Sequence, residues 1–227
     1  MGTFAVSVHL AIESSQRCGG VAVRDAAGTV RTTALESASG VDDQLMPAIK
    51  QLFAESDAQP QDLSLIGVSI GPGGFTGLRV AVSTARTLAM TTGCQVVAVP
   101  SAIVAAMGYS ETKGDVAVLL AGRRDSAWLT RVGPDHGIVG EPGLVCEASI
   151  ASAIADCVVV LGDEHVPTPL QEAVAAARFE LTPPQWEPLA CLQAAERAAD
   201  VGQYADPSTL EPLYPRPPEA VRLFKAR

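Results

Sequence analysis

The chain has 227 residues, 48% of them hydrophobic and 18% charged, a balance that excludes a disordered or low-complexity protein and suits two small lobes or one large domain. Aromatic residues are only 4%, and 16 Lys and Arg face 25 Asp and Glu for a net charge of −9. These numbers exclude a base-stacking single-strand binder and an autonomous, high-affinity nucleic-acid binder, which needs a basic footprint.

Phe4 to Ile12 is an apolar run that predicts a strand, followed by strands at Gly20–Arg24 and Thr29–Leu35 with a hairpin connection at Asp25-Ala26-Ala27-Gly28. Val41, Leu45, Met46, Ile49, Leu52 and Phe53 recur at helical spacing. A strand is predicted over Leu63–Ile70, a helix over Phe75–Thr92 stopped by Gly93, a short strand over Gln95–Val99, and a small helix after Pro100-Ser101. The second half predicts strands at Val116–Leu120, Ser126–Val132 and Val158–Leu161, and helices near Ile150–Ala155, Leu170–Ala177 and Pro188–Val201. A Gly- and Pro-rich loop is expected after Val132, and a Pro-rich tail from Pro207 has room to cross back to the first half. No repeat period is visible. The order β-β-β-α-β-α-β-α predicts a mixed sheet covered on both faces, and the loose stretch Gly108 to Gly114 marks a boundary between two α/β lobes, residues 1–107 and 108–227.

The candidate chemistry is sparse. Five scattered cysteines without a C-x-x-C pair read as reduced thiols, and His9, His136 and His165 form no helical metal-binding pattern, so no metal is expected. The start of the chain lacks a basic leader region and reaches Glu13 too soon for a membrane span, which predicts a soluble, cytoplasmic protein. Gly67-Val68-Ser69-Ile70-Gly71 spells G-x-S-x-G, the pattern of a hydrolase nucleophile. Ser69 lies inside the predicted strand, however, and the turn comes only afterwards at Pro72, so a strand serine is the better reading. The loop Gly71-Pro72-Gly73-Gly74-Phe75-Thr76-Gly77 has neither the lysine of a Walker loop nor the third glycine of the dinucleotide fingerprint. Glycines that admit close packing against a helix explain it better than phosphate binding. Glu13-Ser14-Ser15 suits either a turn near a metal-bound phosphate or a turn held by its own side chains. Arg123, Arg124 and Arg131, with Arg216, Arg222, Lys225 and Arg227 in the tail, are the concentrations of positive charge, and solvated surface is the default for each.

The Phe75–Thr92 helix is apolar over most of its circumference: Leu78, Val82, Ala85 and Ala89 line one side, and Val80, Ala81, Thr84 and Leu88 much of the rest. Such a surface needs cover on more than one side, by its own sheet and by a neighbouring helix or a partner.

Gly71-Pro72-Gly73-Gly74-Phe75-Thr76-Gly77-Leu78-Arg79 resembles the G-P-G-S-F-T-G-L-R signature of the TsaB, or YeaZ, family. The family's other marks follow in order. Leu10-Ala11-Ile12-Glu13-Ser14-Ser15 resembles its opening strand and D-T/S-T/S turn, and Asp43-Gln44-Leu45-Met46-Pro47 its H-x-x-x-L-L-P helix start. Val99-Pro100-Ser101, Leu161-Gly162-Asp163 and Pro212-Leu213-Tyr214-Pro215-Arg216 resemble its later steps. The chain departs from the pattern at Glu13 for aspartate, Gly74 for serine, and Asp42 or Asp43 for histidine. The D-A-R-R-x-E-V-Y stretch appears as Ala121-Gly122-Arg123-Arg124-Asp125-Ser126-Ala127-Trp128.

The resemblance implies an actin-like (ASKHA) fold of two lobes, with mixed sheets flanked by helices. It also implies a non-catalytic scaffold for threonylcarbamoyladenosine formation on tRNA. Its partners would be a TsaD-like catalytic subunit and a TsaE-like ATPase, with tRNA met only through the complex. It leaves room for a homodimer in the partner's absence and for a nucleotide at the partner interface, with no cofactor otherwise. By motif position, Leu45, Ala48, Leu52, Thr76, Leu78, Arg79 and Val82 are the partner-binding candidates. Gly71, Pro72, Gly73, Gly74 and Gly77 form the glycine loop, and Glu13, Ser14 and Ser15 a vestigial nucleotide turn. The rival readings are a hydrolase or peptidase using Ser69, and an ATPase of the ASKHA type.

Overall fold

The computed structural model describes residues 7–35, 41–109, 113–122 and 125–215, without the side chains of Val41 and Asp42. Arg123, Arg124 and the basic tail from Arg216 lie outside the described residues, as do the first residues of the expected opening strand.

Two five-stranded mixed sheets make up the protein. The first contains β1 (Val8–Glu13), β2 (Gly19–Arg24), β3 (Val30–Leu35), β4 (Leu63–Gly71) and β5 (Gln95–Pro100), in the order β3-β2-β1-β4-β5. β1, β2 and β3 form an antiparallel meander, and β4 and β5 join parallel to β1. The second contains β6 (Asp115–Ala121), β7 (Ser126–Val132), β8 (Ile138–Cys146), β9 (Cys157–Leu161) and β10 (Leu181–Thr182), in the order β10-β9-β6-β7-β8. Its meander and parallel additions repeat the first sheet's plan.

The helices repeat as well. α1 (Val41–Glu55), α2 (Phe75–Thr92) and α3 (Ser101–Met107) follow β3, β4 and β5, whereas α4 (Glu147–Ala153), α5 (Thr168–Ala176) and α6 (Pro188–Asp200) follow β8, β9 and β10. A repeat that leaves no period in the sequence is therefore present in the topology. β8 corrects the expected Gly- and Pro-rich loop, and β10 is a two-residue strand that local pattern does not predict.

One face of the first sheet (Leu10, Ile12, Val21, Ile66, Val68) packs against Leu45 and Leu52 of α1 and Ala81, Val82 and Ala85 of α2. The other face carries smaller residues, Ala11 and Ala22, and packs against Cys191, Leu192 and Ala195 of α6. The fit is close, since a Cβ on Gly67 would stand 2.4 Å from that of Ala195. A clamp fixes the helix: Glu196 accepts hydrogen bonds from His9 Nδ1 (2.7 Å) and from Arg24 through Nε (2.7 Å) and Nη2 (3.1 Å). The chain thus returns to the first sheet at Pro188, well before the tail expected to cross back. The tail adds a bridge from Ala205 to Val96 and an amide hydrogen bond from Leu213 to the Ile70 carbonyl (2.7 Å).

In the second lobe, Leu119, Ala127 and Leu129 meet Ile150 and Ile154 near α4 and Leu170 and Val174 of α5. Its other face (Val116, Val118, Val132) is covered by Ala102, Ala105 and Ala106 of α3 and by Trp186. α3 also sends Val104 and Met107 into the first lobe's core.

Candidate partner-binding site

The glycine loop and the Glu13-Ser14-Ser15 turn, far apart in sequence, interlock at the ends of β1 and β4. The Gly74 amide donates to the Ser15 carbonyl (2.7 Å), and the Ser14 hydroxyl donates to the Gly77 carbonyl (2.9 Å). A Cβ on Gly73 would stand 1.9 Å from the Ser15 carbonyl oxygen, and one on Gly77 2.5 Å from that of Ser14. Only glycine lets the loop lie this close. Gly71–Pro72 is a cis peptide, and the Pro72 carbonyl accepts from Ser101 Oγ (2.7 Å) and Gln16 Nε2 (3.2 Å). The Ser14 hydroxyl and the Ser15 carbonyl are spent on the loop, so the geometry sides with close packing for these glycines.

Glu13 is fully buried beneath this junction. Its Oε1 accepts from the Ser15 amide (2.7 Å) and hydroxyl (2.6 Å). Burial pushes the carboxyl above its ordinary range, against the Ser15 hydrogen bonds and the nearby Ser69 hydroxyl, which favour the charged form. Glu13 Oε2 and Ser69 Oγ have no partner of hydrogen-bond geometry among the described residues. A protonated Glu13 places its one donor where Ser69 offers an acceptor. Ser69 itself is 0% exposed and sits within β4, paired with Val99. A nucleophile elbow holds its serine on an exposed turn, so this position does not serve the hydrolase reading.

Beyond the loop, α2 presents Phe75, 56% exposed, with the Arg79 guanidinium 4.7 Å above its ring and Tyr214 of the tail packed against it (centroids 5.5 Å apart, planes tilted 30°). Arg86 Nη2 donates to the Ser208 carbonyl (2.9 Å) and holds the tail along the helix. Thr76 and Arg79, of the expected partner-binding residues, are exposed here. Leu45, Ala48, Leu52, Leu78 and Val82 are not: they are buried in the first lobe. The reason is spacing, since Leu78, Ala81, Val82, Ala85 and Ala89 form the face of α2 that closes onto its own sheet.

The open strip between α1 and α2 is made by neighbours outside the expected partner-binding set. Met46, Ser83, Thr84, Thr87 and Leu88 line a shallow hollow of about 230 Å³. Beside it, Met46, Ile49, Phe53, Pro60 and Leu88 line one of about 320 Å³. Met46 is 40% exposed, and Met90 further along is 68% exposed. Tyr214 was visible in the tail motif, but nothing local tied it to Phe75. Among the described residues no helix is long and apolar enough to cross a membrane, and no three His, Cys, Asp or Glu are placed to hold a metal.

The sequence profile of the family described as "TsaD: tRNA N6-adenosine threonylcarbamoyltransferase" matches residues 37–193. The chain is also similar to the tRNA threonylcarbamoyladenosine biosynthesis protein TsaB of Bacillus subtilis (strain 168), at 33% identity over 104 residues, 41% of this chain and 45% of that protein. The chain thus spans about half the length of this curated relative. Two solved structures have the same fold. One, an uncharacterized protein with similarity to peptidase YeaZ from Pseudomonas aeruginosa, has a TM-score of 0.74 at 20% identity and covers 92% of this chain and 100% of that one. The other, YeaZ from Pseudomonas aeruginosa, has a TM-score of 0.72 at 19% identity and covers 92% and 99%. The expected α/β fold of two mixed sheets flanked by helices is the fold found, and it is shared with these two structures.

Proposed function

The chain belongs to the TsaD family, within its TsaB (YeaZ) group, and from that premise we propose that it is a non-catalytic scaffold subunit in the threonylcarbamoyladenosine modification of tRNA. It holds a TsaD-like catalytic subunit against α1 and α2, a TsaE-like ATPase joins the pair, and tRNA is met only through the complex. Without that partner the same helices pair with a second copy, and a nucleotide is accommodated only at the partner interface.

The observation that supports this reading is the strip between α1 and α2, where exposed Met46 and half-buried Leu88 line a shallow hollow that shares Ser83 with the groove of Arg79 and Tyr214. Small and flexible side chains on paired helices suit close packing by a further helix. The net charge of −9 argues against tRNA binding by the free chain.

Met46→Glu tests the proposal without entering the core. The variant is expected to keep its circular dichroism spectrum and to lose about tenfold or more in affinity for the TsaD-like subunit of the same organism, because a carboxylate desolvated against apolar surface costs at least ~1.4 kcal/mol. Size exclusion of the mixture reads association, and the threonylcarbamoyladenosine content of tRNA reads function. A folded variant that associates as well as wild type removes the α1–α2 strip from the interface.

A further inference from the structure

A second concave site lies away from α1 and α2, where the two lobes meet. The edge strand β5, α3, α6 and the β7–β8 turn enclose a groove of about 770 Å³, within the range of small-molecule sites. Its walls are mostly apolar, with Val97 and Ile103 from the first lobe's side, Ile138 from the second, and Ala194, Ala198 and Val201 from α6 and its end.

Three side chains that can donate hydrogen bonds line it, Arg197 on α6, Gln203 just beyond, and His136 on the β7–β8 turn, together with the Asp135 carboxylate of that turn. Among the described residues none of the three side chains has a hydrogen-bond or ion-pair partner. The turn that carries His136 is firmly built. The His136 amide donates to the Gly133 carbonyl (2.9 Å), the Gly133 amide to that of Gly137 (2.9 Å), and the Gly137 amide to Asp135 Oδ1 (3.1 Å). These bonds hold His136 at φ +62°, which a non-glycine residue rarely adopts.

We propose that this inter-lobe groove binds a small organic carboxylate, its apolar body against Val97, Ile103 and Val201 and its carboxylate on Arg197, His136 and Gln203. A guanidinium fork takes a carboxylate through two parallel hydrogen bonds, and an imidazole N–H and an amide N–H supply two further donors. The charge of the wall sets the valence. Burial first, and then the Arg197 charge, keep the His136 imidazole below its ordinary pKa, while Asp135 pulls the other way. With a neutral imidazole, Arg197 is the groove's one full positive charge and Asp135 on the same wall opposes it, so a dianion such as a phosphate monoester is disfavoured.

Amide-resolved NMR titration of the full chain with indole-3-acetate and with its neutral analogue indole-3-acetamide tests the proposal. The acetate is expected to shift Gly137, Ile138, Val201 and Gln203 in a saturable way and to bind about tenfold more tightly than the amide. Arg197→Gln should remove that preference. Val201→Glu, at an exposed position, should remove it too by placing a like charge in the groove. Both variants should keep the wild-type spectrum elsewhere. Equal binding of the two probes, a preference that survives Arg197→Gln, shifts confined to another region, or no saturation by about 10 mM would each overturn it.

Discussion

The two lobes share one plan and differ in how they are closed. In each, three antiparallel strands are followed by two parallel additions, with helices after the third, fourth and fifth strands. The first sheet is covered on both faces, by α1 and α2 and by α6. In the second, the edge strand β8 leaves Ile138, Val139 and Leu144 exposed. The covers are also exchanged. α3, the last helix of the first plan, lies between the sheets, with Ala102, Ala105 and Ala106 on the second and Val104 and Met107 on the first, and α6, the last helix of the second plan, lies on the first. The lobes are separate as sheets, yet each sheet is covered in part by a helix that the other half of the chain encodes.

Cutting the chain at the expected boundary should break this comparison most severely. A fragment of residues 1–107 keeps all five strands of the first sheet but exposes Ala11, Ala22, Leu65, Val97 and Val99. It is expected to give a collapsed, poorly dispersed NMR spectrum, and a peptide of residues 183–215 added in trans should restore dispersion. A fragment that folds without the peptide would make the first lobe autonomous.

The glycines that follow the fourth strand of each plan sharpen the comparison on a smaller scale. An added Cβ at Gly73 meets the Ser15 backbone at 1.9 Å, whereas at Gly162 it meets the Leu181 side chain at 2.8 Å. Gly73→Ala is expected to destabilise by about 3 kcal/mol or more, since backbone has to move, and Gly162→Ala by about 1 kcal/mol. Urea denaturation of the two variants measures the difference, and equal losses would show that the interlocked loop has room to relax.

The smallest effects concern charge, and both groups involved serve the first lobe. Burial pushes Glu196 up, but the hydrogen bonds and charges of His9 and Arg24 outweigh it and hold the carboxyl below its ordinary range. Its stabilisation is therefore present above the unfolded-state pKa and is lost as pH falls through the lowered folded value. Glu196→Ala should cost about 1–2 kcal/mol at pH 7 and less in acid. Glu13 has the opposite sign. Its folded pKa is raised, so its contribution is complete below the ordinary carboxylate value and is lost as pH rises through the folded one. Glu13→Gln, a mimic of the protonated form, should raise Tm at pH 8 and leave it nearly unchanged at pH 4. A variant less stable than wild type at both pH values would show that the carboxyl is needed for its shape, not its proton.

The sequence was most legible where local signals agree. The helix over Phe75–Thr92 was predicted to the residue, because its apolar spacing ends at Gly93, which adopts φ +77° and donates its amide to the Ala89 carbonyl (2.8 Å). Ser126–Val132 was equally clear as an alternating strand. β8 was hidden because Gly140, Pro142 and Gly143 read as loop, and only an edge strand tolerates them. In the site, the loop and the turn were both legible as motifs, but their interlock is a contact between residues some 60 positions apart. The breadth of the apolar surface on α2 was legible and its direction was not. Periodicity shows that Val82 and Leu88 need cover, yet it does not say that Val82 faces the sheet while Leu88 borders the open strip. In the same way, the pattern of α6 marks a helix but carries no label for the sheet it will cover.

The exchanged helices also set an order of events during synthesis. The five strands of the first sheet are complete in the nascent chain by Pro100, whereas α6 ends at Asp200. At the usual 5–20 residues per second, the ribosome needs about 5–20 s to make the intervening stretch. For that time the Ala11–Ala22–Val97 face has only Val104 and Met107 of α3 from its own chain to lie against, and a nascent-chain chaperone has a defined window in which to hold it.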